Sequence, residues 1–236
     1  MVLTNGGAEA IALVAAELGA GWVDEPDFSL YRRHLPAVLA GAPRWRSDPH
    51  NPTGRLAPPD ATAAVWDEAF FPLATGRWTS GRADRGAVVL GSLTKLLACP
   101  GLRIGFVLAP DAAFAARLAH RQPRWSVNGI AVAALPELLA TVDLPGWHRQ
   151  IGRLRAALVE LLATAGLRAE PSDANYVLVR GAPALRDRLA PHGVVVRDCA
   201  SFGLVDTVRI AVPDDDGRQR LADALRASAP SVPGVS

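Results

Sequence analysis

The sequence predicts an α/β domain followed by a smaller α+β domain, and three observations carry that expectation. Short apolar runs rich in β-branched residues, Ala87 to Leu90 and Arg103 to Leu108, have the continuous hydrophobicity of buried strands. Segments with helical spacing separate such runs. After Gly166 the pattern changes to short strands with helices between them. A chain of 236 residues suffices for one large or two small domains with a proper core. The expected division is residues 1–145 as the first domain, 146–227 as the second, and 228–236 as a disordered tail rich in Pro, Ser and Gly.

In chain order, Thr4-Asn5-Gly6-Gly7-Ala8 is a glycine turn feeding a helix. Glu9 to Leu18 sets Ile11, Val14, Ala15 and Leu18 on one helical side. Tyr31 to Leu39 is a second helical stretch, weakened by Pro36. Ser47 to Gly54 is a turn-rich loop, and Ala64 to Asp67 a strand ending at Asp67-Glu68. Lys95 lies in the connection between the two apolar runs. Asp111 caps a helix to Ala119. Asn128 to Ala140 and Trp147 to Ala165 are longer helices, broken near Asp143-Leu144-Pro145. Strands are expected at Tyr176 to Val179, Val194 to Arg197 and Val208 to Val212, and helices at Pro183 to Ala190 and Asp216 to Ala227.

Composition narrows the function. The net charge is +2 with scattered arginines, and no basic block argues for nucleic acid. Cys99 and Cys199 are too few for a disulfide scaffold and lack metal-ligand spacing, which fits a reducing cytoplasm. The short apolar stretch Ala10 to Ala16, flanked by Glu9 and Glu17, reads as a helix face rather than a signal peptide or membrane span.

Lys95 is the most informative residue. Of 25 Lys plus Arg, it alone is lysine. Only lysine can lose its proton near neutral pH and attack a carbonyl, so one lysine in an arginine background points to chemistry. Its neighbours fit a phosphorylated aromatic aldehyde cofactor. Ser92 and Arg103 flank it and suit a phosphate, and the Gly6-Gly7-Ala8 turn offers backbone N–H groups at a helix N-terminus. Asp67 suits a pyridinium nitrogen, Asn51 a phenolic oxygen, and Phe28 a ring face. Each has an ordinary structural alternative; the order and spacing of the set carry the reading.

These stretches resemble the class I/II aminotransferase family of pyridoxal-5′-phosphate enzymes, fold type I. The likeness rests on Asn5-Gly6-Gly7-Ala8-Glu9-Ala10, Pro26-Asp27-Phe28-Ser29-Leu30-Tyr31, Asn51-Pro52-Thr53-Gly54, Asp67-Glu68-Ala69-Phe70, Ser92-Leu93-Thr94-Lys95 and Pro100-Gly101-Leu102-Arg103-Ile104-Gly105. A weaker match runs on through Val196-Arg197-Asp198-Cys199 and Val208-Arg209-Ile210-Ala211-Val212. Within the family the chain is most similar to histidinol-phosphate aminotransferases and to the threonine-phosphate decarboxylases of cobalamin biosynthesis. Phe28, Phe70 and Trp125-Ser126-Val127-Asn128 lean towards the cobalamin branch. The resemblance implies a mostly parallel sheet with flanking helices, a small C-terminal domain, a homodimer, and a small amino-acid substrate. It implies Lys95 as the Schiff-base lysine and proton shuttle, and Asp67 at the pyridine nitrogen. It gives Asn51 the phenolic oxygen, unaided because Phe70 has no hydroxyl. Ser92, Arg103, Gly7 and Ala8 then hold the phosphate, and Phe28 stacks. Arg209 takes the substrate carboxylate and Arg197 a substrate phosphate.

The chain departs from the family pattern in length. It begins almost at the phosphate-binding turn, so the N-terminal arm of relatives is expected to be missing. The connections from Phe28 to Asn51 and from Asn51 to Asp67 are short, the latter with little room for a helix. A truncated, catalytically impaired homologue is therefore one alternative, and a decarboxylase another. Ser92-x-x-Lys95 also matches an acyl-serine motif, but that chemistry wants a Lys-Thr-Gly element, which a chain with one lysine lacks.

Overall fold

A computed structural model describes residues 1–228, and its main sheet is built so that one edge gathers the polar residues singled out above. The chain opens with β1 (Val2–Asn5) and turns directly into α1 (Gly6–Leu18). β2 (Trp22–Val23), α2 (Leu30–His34), β3 (Arg44–Ser47) and β4 (Val65–Asp67) follow. Next come α3 (Phe71–Thr75), β5 (Val88–Ser92), α4 (Leu93–Leu96) and β6 (Ile104–Leu108). The six strands lie in the order β1-β6-β5-β4-β3-β2. β2 to β5 pair in parallel, and β6 runs antiparallel to both β5 and β1. The carboxyl ends of β1, β3, β4 and β5 therefore share one edge, which is where open α/β sheets place their ligands.

α5 (Ala112–Arg121), α6 (Gly129–Ala140) and α7 (Leu144–Thr164) lead to the second sheet. There β7 (Tyr176–Val179), α8 (Leu185–Leu189), β8 (Arg197–Asp198), β9 (Val208–Ala211) and α9 (Asp215–Ala227) form a three-stranded antiparallel layer, ordered β7-β9-β8, under helices. The expected division at residue 145 falls in the first turn of α7. That helix packs Leu144, Trp147 and Ile151 towards Leu73 and Leu93, and Leu158 and Leu162 into the core of the small sheet. One helix thus contributes to both cores. Among the described residues no single helix is long and apolar enough to cross a membrane.

Several elements differ from expectation for identifiable reasons. α2 ends at His34 because Pro36 drives Leu35 into extended backbone (φ −67°, ψ 123°). The expected break between the two long helices is present, but α7 starts at Leu144 rather than Trp147, because the Asp143 carboxylate accepts from Gly146 N–H at 2.9 Å and Pro145 is tolerated in the first turn. The strand expected at Val194 to Arg197 pairs only from Arg197, and Val195 is exposed. Lys95 lies in the connection between β5 and β6, as expected, and that connection begins with the short helical turn α4. Asp48 to Ala64 contains no helix, as the short spacing predicts. Ser228 closes α9 by donating its N–H to Ala224 O at 2.9 Å; residues 229–236 of the expected tail lie outside the described residues.

Candidate active site

A cavity of about 230 Å³ opens at the carboxyl edge of the main sheet. All of the sequence-predicted site residues except Arg197 line it, so positions from Gly7 to Arg209 converge on one point.

One end of the cavity is built for an anion. α1 begins immediately after β1, so its N-terminal N–H groups and positive dipole end face the site. Gly6 has φ +75°, and a Cβ there would sit 2.6 Å from Arg103 Nη2, so the guanidinium lies directly over the helix start. At Gly105 a Cβ would meet the Gly6 carbonyl carbon at 2.6 Å; its absence lets β6 lie against that turn. Ser92 faces Gly7, whose added Cβ would lie 3.6 Å from that of the serine. Arg103 adopts a left-handed conformation (φ 53°), uncommon for a residue with a side chain. Its one hydrogen bond among the described residues is a long one, 3.4 Å to Pro100 O. Thr94 Oγ1, also at the cavity, is buried without a partner. A cation with little to hold, an orphaned hydroxyl and a helix N-terminus in one place are a donor set lacking its acceptor. These residues fit a phosphate group.

The other end holds Asp67, which ends β4 and whose side-chain oxygens are both engaged. Oδ1 accepts from Ala69 N–H at 3.0 Å, and Oδ2 from the Tyr31 hydroxyl at 2.9 Å. Burial, reinforced by the charges of Asp27 and Glu68, raises its pKa from 3.8 to about 6, while those two hydrogen bonds hold it down. The group is thus an anion at neutral pH that loses its charge on mild acidification. It fits a ring nitrogen that carries a proton.

Lys95 stands at the mouth, exposed, with Nζ 5.7 Å from the centre of the Phe70 ring. Desolvation by the cavity walls, then the charges of Arg209 and Arg103, hold its pKa below the ordinary lysine value; Asp67 opposes them. Arg209 reaches over from β9 of the small layer. Its guanidinium covers the Tyr176 ring at 4.6 Å, and Nη1 donates to Asn51 Oδ1 at 2.5 Å. Because arginine only donates, this contact fixes the Asn51 amide and leaves its Nδ2 hydrogens for a ligand oxygen. Phe28 lies on the cavity wall with its ring edge-on to Tyr31.

Arg197 lies outside the cavity. It is exposed on β8 and donates to Ser201 Oγ at 3.1 Å. It is nonetheless the register partner of Arg209, so the two cations share one face of the small sheet. Tyr31, which the sequence shows at a helix start and at the end of the Pro26–Tyr31 stretch, and Thr94, beside Lys95, also line the cavity, with no site role evident from sequence. Their polar types were visible, but their burial was not.

Residues 46–225 match the family described as aminotransferase class I and II. A histidinol-phosphate aminotransferase from Symbiobacterium thermophilum is 31% identical over 93% of this chain and 66% of its own length. A threonine-phosphate decarboxylase from Salmonella typhimurium is 33% identical over 75% of this chain and 55% of its own. The chain thus spans between about half and two thirds of the length of these curated relatives. In fold, a histidinol-phosphate aminotransferase from Clostridium acetobutylicum matches with a TM-score of 0.83 at 24% identity, over 96% of this chain and 82% of that one. An L-threonine-O-3-phosphate decarboxylase from Porphyromonas gingivalis matches with a TM-score of 0.79 at 24% identity, over 95% and 82%. With a match over most of its length, a shared sheet architecture and the motif residues around one cavity, this chain belongs to the aminotransferase class I and II family.

Proposed function

We propose that this protein is a pyridoxal-5′-phosphate-dependent enzyme that transfers the amino group of a phosphorylated amino acid, with histidinol-phosphate aminotransferase-like chemistry. The observation that carries the proposal is the convergence, in one cavity, of an anion cradle, a buried carboxylate and the chain's single lysine. Bound there, the cofactor would supply an electrophilic aldehyde and an electron-accepting ring. Gly7, Ala8, Ser92 and Arg103, together with Thr94, would hold its phosphate. Asp67 would keep a ring nitrogen protonated. Asn51 Nδ2 would donate to the ring oxygen, and Phe28 would pack on the ring. The Lys95 amine, whose pKa is held below the ordinary lysine value, would provide the nucleophile and carry the proton at the substrate α-carbon. Arg209 offers a planar fork to the substrate carboxylate, and Arg197, its cross-strand neighbour, provides a second cation for a phosphate.

Decarboxylation of L-threonine O-3-phosphate, a cobalamin-branch activity, is the second reading. The 33% identical Salmonella relative supports it. The same residues serve either outcome, which depends on whether the α-proton or the carboxylate lies perpendicular to the ring. The test has two stages. Purified protein mixed with pyridoxal phosphate should develop an absorbance band that free cofactor lacks; a folded protein without that band overturns the proposal. Loaded protein should then pass the amino group of a phosphorylated amino acid to 2-oxoglutarate, whereas CO2 release from L-threonine phosphate without amino transfer assigns the second reading.

A cytoplasmic homodimer belongs to the same proposal. Trp125 is 92% exposed and Ile130 76%, at the start of the strongly apolar helix α6, a surface suited to burial against a second copy. Sedimentation at micromolar concentration should give a dimer, and a monomer would remove this part of the proposal.

A further inference from the structure

Tyr31 is fully buried, and its hydroxyl has no part in the chemistry described above. The ring is held edge-on to Phe28 (centroids 5.7 Å apart, planes at 87°) and tilted against Trp45, also at 5.7 Å, so the hydroxyl has a fixed direction. That direction is Asp67 Oδ2, at 2.9 Å, on a strand 36 positions away. With Ala69 N–H on Oδ1, two donors on different elements fix both the plane and the tilt of one carboxylate.

The surroundings oppose the charge that Tyr31 supports. Asp27, from the segment before α2, and Glu68, beside Asp67 in the chain, both destabilise an Asp67 anion. Lys95 from α4 favours it, and Tyr176 from β7 is a further titratable group facing the same space. Asp27 cannot take the place of Tyr31. It is itself an acceptor, engaged by Ser47 N–H, the Ser47 hydroxyl and Phe28 N–H. Burial and the neighbouring Asp67 push the Tyr31 phenol well above its ordinary pKa, so it remains a donor throughout the range in which Asp67 titrates.

We propose that Tyr31 is the positioning residue for Asp67: its hydroxyl orients the carboxylate into the cavity and keeps it anionic among acidic neighbours. In function this rests on the reading of Asp67 as the partner of a ring nitrogen. Tyr31→Phe isolates the role, because it removes one oxygen and leaves the ring contacts with Phe28 and Trp45.

The test is carboxyl-carbon NMR of the cofactor-free protein, with the Asp67 signal assigned by its loss in Asp67→Asn. The wild-type midpoint is expected near the value of about 6 given above. In Y31F it should rise by about one pH unit, as expected for the loss of a hydrogen bond to a charged group. The acid-side fall in pyridoxal phosphate affinity should shift by the same amount. In the D67N background, adding Y31F should change that affinity by less than about twofold, because the two residues act as one unit. An unmoved Asp67 midpoint, or an equal loss of affinity in the D67N background, overturns the assignment. If the midpoint moves while the wild-type protein binds no cofactor, the cofactor reading fails and the control of Asp67 by Tyr31 stands.

Discussion

Lys95→Ala and Lys95→Arg are both expected to lower turnover by at least about 10³-fold, in line with the loss of a group that moves protons at the reacting atom. The pairing matters because the two variants fail differently. Alanine removes the amine. Arginine keeps the positive charge and most of the length but stays protonated, so it can neither attack a carbonyl nor shuttle a proton. The expectation for lysine rests on the surroundings of its amine. Desolvation by the cavity walls lowers its pKa, and the charges of Arg209 and Arg103 lower it further. Neither variant touches the Gly7, Ala8, Ser92 and Arg103 cradle, so affinity for pyridoxal phosphate should fall much less than turnover, as read by equilibrium dialysis. Because Lys95 is the only lysine, borohydride added with cofactor should fix one pyridoxyl group per chain, and peptide mapping should place it on Lys95. Wild-type turnover in Lys95→Arg, or a label at another position, would remove the lysine from the centre of the mechanism.

What could be read from the sequence follows from how local each feature is. The Lys95 block was legible because its members lie within a dozen positions and their types are chemically narrow: one lysine, a serine three residues before it, an arginine eight after. Buried strands such as Val88–Ser92 announced themselves by unbroken apolar runs. β3 was not legible. Arg44-Trp45-Arg46-Ser47 alternates partly exposed arginines with buried Trp45 and Ser47, and its two cations hide a strand that is interior to the sheet. α3 was hidden by Pro72, which is tolerated because it sits in the first turn. The contacts that complete the site are long-range. Tyr31 reaches Asp67 across 36 positions and Arg209 reaches Asn51 across 158. No periodicity encodes such pairs; they exist only once both sheets are assembled.

The pair on the small sheet carries the second large effect. Arg209→Lys is expected to lower kcat/KM by roughly 10²-fold, the order expected when charge-assisted hydrogen bonds to a carboxylate are lost. A lysine offers one point charge. It cannot both donate to Asn51 Oδ1 and present a planar fork, nor stack its head group flat on Tyr176. The loss should therefore appear mainly in KM, with a smaller fall in kcat as the Asn51 amide is freed to turn. Arg197→Ala tests the other half of the substrate. It is exposed, so its contribution is screened by solvent, and about a tenfold loss is expected, confined to phosphorylated amino acids. Rates with the unphosphorylated analogue should stay unchanged, because Arg197 lines no part of the cavity that holds Lys95 and Asp67. An equal loss on both substrates would mean that Arg197 supports the fold of β8 and β9, and a phosphate would then need another partner. A loss confined to the phosphorylated substrate would divide the work of the two strands: Arg209 binds the group common to all amino acids, and Arg197 selects among them.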